Sequence, residues 1–202
     1  MICKKVIFVR HAESTNNASK RTWSRTFGSL RLPGTWTELG EIASLITLPM
    51  DSSLTSDGLI MIDRQRAAFQ DIMRSSGTTI VIHSHLQRAR QTAEGLCAGA
   101  AVLKLEECPI LFEKSLREYA QISSFQSRVL RFKQLLASRT EETVALVGHS
   151  AFFRKLVPQM QGREREMGNV SMWRASLMHD GTWQNLELLV PGWADGLDRL
   201  DM

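Results

Sequence analysis

Three cysteines, Cys3, Cys97 and Cys108, are all that 202 residues contain, an odd number with no CxxC pair and no histidine at zinc-ligand spacing. Neither a disulfide framework nor a structural zinc site is indicated, and a reducing compartment is the default. Long apolar runs are missing too. The N-terminal stretch MICKKVIFVR is closed by Arg10 and is too short for a signal-peptide core or a membrane span. The expectation is a soluble cytoplasmic protein with no membrane partner, unless a targeting segment precedes this stretch. Dense basic blocks are absent: the net charge of +4 is spread over small groups such as Lys20, Arg21 and Arg25, or Arg128, Arg131 and Lys133. Nucleic-acid binding wants a concentrated stripe, so it is not expected, whereas a small anionic substrate fits. No linker interrupts the chain, which reads as one domain over residues 1–202. Its composition leaves the oligomeric state open.

What is present is an alternation. Lys4 to Val9, Thr79 to Ile82 and Thr143 to Val147 are short β-branched runs that read as buried parallel strands. Between and after them come helical patterns. One starts with Thr55 as N-cap and stops at Gly77; the others run from Leu86 to Cys97 and from Phe125 to Arg139. Asp180-Gly181 lies between two partly alternating runs and predicts a hairpin. These signals imply an α/β fold with helices on both faces of the sheet. Residues 18–53 are the least regular part, and an excursion of that length is expected to be a lid or a disordered loop.

Ligands in parallel α/β sheets bind beyond the carboxyl ends of the strands. Three such ends carry chemistry here: Arg10-His11 after the first run, a loop leading to Arg88 after the second, and Gly148-His149-Ser150 after the third. Each is weak alone, because a lone histidine after a strand is usually structural. Two histidines and two arginines at equivalent ends are another matter.

These residues also resemble a known family. "RHAESTNN" from Arg10 is similar to the RH(G/A)ES signature of the histidine phosphatase, or phosphoglycerate mutase-like, superfamily, matching it at Arg10, His11, Ala12, Glu13, Ser14 and Asn17. "LTSDG" (54–58) resembles the family's LTxxG helix entry, and "LQRARQTAEG" from Leu86 its LxRAxxTA element. "LREY" (116–119) resembles the segment carrying the proton donor, and "VALVGHSAFFRKL" from Val144 the segment with the second histidine. The motifs occur in family order.

The resemblance implies a three-layer α/β/α fold with a mostly parallel central sheet, and a phosphatase. His11 would be the nucleophile, forming a phosphohistidine, with Glu118 as proton donor. Arg10, Arg88 and His149 would hold the phosphoryl oxygens, and Asn17 and Ser150 would lie in the substrate-binding set. Forked guanidinium donors suit phosphate, and fixed positive groups stabilise charge that builds up during in-line transfer. No metal or other cofactor is implied, and the lack of a carboxylate cluster suited to magnesium agrees. The partner would be a small phosphorylated substrate or a phosphoprotein. His85 stands where family members often have Asp or Pro, and the reading preferred for it is a loop histidine near the rim.

Three alternatives compete. "GHSAF" resembles the G-x-S-x-G nucleophile elbow of an α/β-hydrolase with Ser150 as nucleophile, but Phe152 stands where the last glycine belongs. A non-catalytic phosphate-binding member of the fold would be expected to have lost site residues. A phosphoglycerate mutase-like phosphotransferase would carry extra segments, yet only about thirty residues separate Glu118 from His149. Hydrolysis is the preferred reading.

Overall fold

The computed structural model describes residues 2–17, 51–100, 103–111, 122–162 and 167–193. Its strands are β1 (Ile2–Arg10), β2 (Ile80–Ser84), β3 (Lys104–Cys108), β4 (Thr143–Gly148), β5 (Met172–Met178) and β6 (Trp183–Val190). The helices are α1 (Ser56–Ser75), α2 (Gln87–Cys97), α3 (Ile122–Ser138) and α4 (Ser150–Leu156). The strands form one sheet in the order β3-β2-β4-β1-β5-β6. Pairs β2·β3, β2·β4 and β1·β4 are parallel, while β5 and β6 run antiparallel at one side. The sheet is thus mostly parallel, as expected.

Alternation along the central strands builds three layers. Val6 and Phe8 of β1, with Val144 and Leu146 of β4, face one side and pack with Phe125, Phe132 and Leu136 of α3 and Phe152 and Phe153 of α4. Ile7 and Val9, with Ala145 and Val147, face the other and pack with Met61 and Phe69 of α1 and Ala93 and Leu96 of α2. A strand buried on both faces needs apolar residues at every position, which is why these runs lack the polar alternation of an exposed sheet.

The helix limits follow from local chemistry. Thr55 caps α1, its hydroxyl accepting the Gly58 N–H at 3.0 Å, and the chain leaves the helix through Gly77 at φ 67°. Gly181, at φ 78°, forms the β5–β6 turn together with Asp180, whose carboxylate accepts the Thr182 N–H at 2.8 Å.

The helical pattern expected after the third strand run is α4. β3, whose sequence KLEEC is mostly charged, was not anticipated. Among the described residues β3 pairs on one side only, and Arg139 secures it by a forked contact to Glu106 at 2.7 and 3.0 Å and a further bond to Glu141 at 2.8 Å. The guanidinium holds the Glu106 carboxyl below its ordinary value and that of Glu141 down to about 2. Among the described residues no helix is long and apolar enough to cross a membrane.

Candidate active site

β1 and β4 lie side by side with Arg10 in register with Gly148, so the chain leaves the sheet at the same level from both. The His11 N–H continues the ladder by donating to the Gly148 carbonyl at 2.9 Å. On the far side of β4, β2 ends at Ser84, and α2 follows with Arg88 in its first turn. Three strand ends therefore deliver His11, His149 and Arg88 to one place, as the sequence pattern implied.

His11 is buried and its ring centroid lies 5.0 Å from that of His149. Its Nδ1 stands 2.7 Å from the Ala12 carbonyl oxygen. A carbonyl only accepts, so Nδ1 carries a proton and the lone pair of the neutral ring lies on Nε2. His149 is 1% exposed. Burial first, then the positive surroundings that include Arg88 and Arg10, push its pKa well below the ordinary 6.5, so it stays neutral. The same influences place Arg10, Arg88, His11 and His85 within electrostatic reach of one ring. His85, preferred from the sequence as a loop histidine near the rim, is exposed.

The backbone of Arg10 is clasped between strands: its N–H donates to the Ser171 carbonyl at 3.2 Å, and its carbonyl accepts the Val170 N–H at 3.1 Å. One guanidinium nitrogen donates to the Met167 carbonyl at 2.5 Å. Val170 holds φ 57°, a left-handed conformation that is costly for a β-branched residue and that clusters at functional sites.

The loop after His11 is tied down twice. Thr92 of α2, fully buried, accepts the Ala12 N–H at 3.0 Å and donates its hydroxyl to the Arg88 carbonyl one turn back at 2.7 Å. One side chain thus couples the His11 loop to the helix that presents Arg88. The buried Glu13 receives the Thr55 hydroxyl at 3.0 Å, while its carbonyl accepts the Thr55 N–H at 3.1 Å. A Cβ on Gly58 would stand 2.3 Å from the Glu13 carbonyl oxygen, which explains the glycine of "LTSDG". Neither Thr92 nor Ser84, whose hydroxyl lies 3.0 Å from His149 Nε2, was recognised as a site residue from the sequence. Their signal was present: they stand four residues on either side of Arg88.

Several buried polar atoms near this end have no partner among the described residues, among them Ser14 Oγ, Asn17 Nδ2 and His149 Nδ1. Unmet polar atoms of this kind are rare in folded proteins and collect at sites that receive a polar ligand. Asn17 is half-buried close behind His11 in the chain. Ser150 opens α4 half-buried, and no histidine bonds its hydroxyl among the described residues, so the arrangement needed for a serine nucleophile is not assembled there. Glu118 and most of residues 18–53 lie outside the described residues. Among those described, no group of three or more His, Cys, Asp or Glu side chains stands together as metal ligands.

Residues 42–124 match the family model of the histidine phosphatase superfamily (branch 1). No curated protein matches the sequence. The fold is similar to that of several solved structures. The mycobacterial glucosyl-3-phosphoglycerate phosphatase complexed with VO3 is 18% identical, with a TM-score of 0.58 over 94% of this chain and 100% of that one. Phosphoglycerate mutase from Bacillus anthracis is 15% identical, with a TM-score of 0.58 over 92% of each chain. The protein histidine phosphatase SixA complexed with tungstate is 14% identical, with a TM-score of 0.50 over 92% of this chain and 97% of that one.

Proposed function

We propose that this chain, a member of the histidine phosphatase superfamily, hydrolyses phosphomonoesters through a phosphohistidine on His11. The observation that carries the reading is the pairing of two buried imidazoles 5.0 Å apart with Arg10 and Arg88 within electrostatic reach of His149. The His11 Nδ1–H is spent on the Ala12 carbonyl, so the nitrogen that attacks phosphorus is Nε2.

In the first step an N–P bond forms as the bond to the leaving oxygen breaks, and the alcohol takes a proton from an acid, the role assigned to Glu118. In the second, water attacks phosphorus and gives a proton to the carboxylate that the first step left on that acid, the N–P bond breaks, inorganic phosphate departs, and His11 regains its lone pair. Arg10 and Arg88 hold the non-bridging oxygens through both steps, with His149 as a neutral donor beside them. Fixing Arg10 through Met167 and His11 through Gly148 and Thr92 limits reorganisation as charge develops.

The substrate class is a small phosphorylated molecule or a phosphoprotein. Two fold neighbours, a sugar-acid phosphatase and a protein histidine phosphatase, span that range in their own names. A panel of phosphomonoesters, read by release of inorganic phosphate, tests the proposal. Turnover should survive a chelator and vanish in His11→Ala; transfer to a second acceptor without phosphate release would instead mark a mutase.

A further inference from the structure

Ser84, at the carboxyl end of β2, has no exposed surface. Among the described residues its hydroxyl oxygen takes part in two contacts: the Leu86 N–H donates to it at 3.3 Å, and His149 Nε2 lies 3.0 Å away. A hydroxyl has one proton and two lone pairs. The Leu86 amide can only donate, so it takes a lone pair. If Nε2 also donated, the serine proton would be left buried with no acceptor among the described residues, at the full cost of a hydrogen bond not made. The alternative satisfies both partners: the serine O–H donates to Nε2, and the ring proton sits on Nδ1.

A neutral imidazole has only one ring proton, so the choice of nitrogen decides what the ring can do. His149 is held neutral chiefly by burial, with Arg10 from the β1 end and Arg88 from α2 acting in the same direction; His11, and His85 from the loop between β2 and α2, also face it. Nδ1 is the ring atom with no partner among the described residues. The two histidines are thus set as opposites. His11 spends its Nδ1–H on a backbone carbonyl and offers Nε2 as a base, whereas His149 has Nε2 occupied and offers Nδ1–H as a donor.

We propose that Ser84 is the positioning residue that locks His149 as its Nδ1–H tautomer, aiming a neutral donor at the phosphoryl group that His11 accepts. The proposal rests on the phosphohydrolase reading for its catalytic consequence. An Nδ1 lone pair in that place would repel the phosphoryl oxygens, so the serine controls transition-state binding without touching substrate.

Long-range proton–nitrogen correlation spectra of the nitrogen-labelled full chain test it, with His149 assigned by the signals lost in His149→Gln. The wild-type protein should show the neutral Nδ1-protonated pattern. Ser84→Ala should move it toward the Nε2-protonated form and lower kcat roughly 10- to 100-fold, less than complete loss of such a donor, with KM changed less than about threefold. Ser84→Thr, which keeps the hydroxyl, should restore both. An Nε2-protonated His149 in the wild-type protein would overturn the proposal, and this reading stands even where Ser84→Ala fails to fold. Retention of the tautomer and of kcat in a folded Ser84→Ala would overturn it as well. A tautomer that responds to Ser84 in a protein that hydrolyses no phosphomonoester would uphold the lock and sink the hydrolase reading.

Discussion

His11 and His149 hold their rings 5.0 Å apart at an interplanar angle of 59°, and main-chain geometry puts them there. The Arg10–Gly148 register and the His11 N–H bond to the Gly148 carbonyl bring the two loops out of the sheet together. Neither histidine has to reach across the site. Short loops on adjacent parallel strands aim both rings at one space, and rigid mounting of this kind is what phosphoryl transfer asks of a protein.

Thr92 joins the His11 loop to α2 through two hydrogen bonds. Thr92→Val keeps the shape and removes both, leaving the Ala12 N–H buried and unmet. We expect a loss of about 1–3 kcal/mol in unfolding free energy, measured by urea denaturation, together with reduced kcat. A change below about 0.5 kcal/mol with unaltered turnover would contradict the role assigned to this residue.

Gly58 lets the first turn of α1 approach the Glu13 backbone. The added Cβ of Gly58→Ala would stand 2.3 Å from the Glu13 carbonyl oxygen, and backbone yields less readily than the end of a side chain. The gain in helix propensity, about 1 kcal/mol, is outweighed by overpacking of about 1–3 kcal/mol and by strain on the Thr55 cap. Thermal melting should therefore show destabilisation, where an open helical site would show a gain.

His149 makes stability depend on pH in a direction that can be worked out. Its pKa in the folded protein is below the ordinary 6.5, chiefly through burial. As pH falls below that value the unfolded chain takes up a proton that the folded chain refuses, so this component of stability is complete above about 6.5 and declines as pH drops toward the folded pKa. The slope approaches about 1.4 kcal/mol per pH unit at most. His149→Gln should have a shallower profile than wild type between pH 6.5 and 5, read from urea midpoints; parallel profiles would mean that the ring is not held neutral.

Local pattern carried the central strands, the Thr55 cap with its Gly77 stop, and the Asp180-Gly181 turn, because each depends on neighbours a few residues away. It missed β3, where a mostly charged KLEEC becomes a strand only through its ladder with β2 and the Arg139–Glu106 contact. His11, Arg10, Arg88 and His149 could be picked out because they stand at strand ends or just beyond them. Ser84 and Thr92 are marked in the sequence only by standing four residues on either side of Arg88, while the bonds that give them meaning span 65 and 80 residues of chain. The Arg10 clasp reaches still further, from Arg10 to Met167, a separation of 157 residues. Glu118, read only from its motif, lies outside the described residues.

The most direct measurement is a rapid-quench reaction of the full chain with a turned-over phosphomonoester, followed by peptide mass mapping under alkaline conditions that preserve phosphohistidine. The account predicts a phosphoryl group on His11, appearing before free phosphate reaches its steady rate and absent from His11→Ala. A phosphoryl group on another residue, or multiple turnovers with no adduct together with retained hydrolysis in His11→Ala, would contradict it.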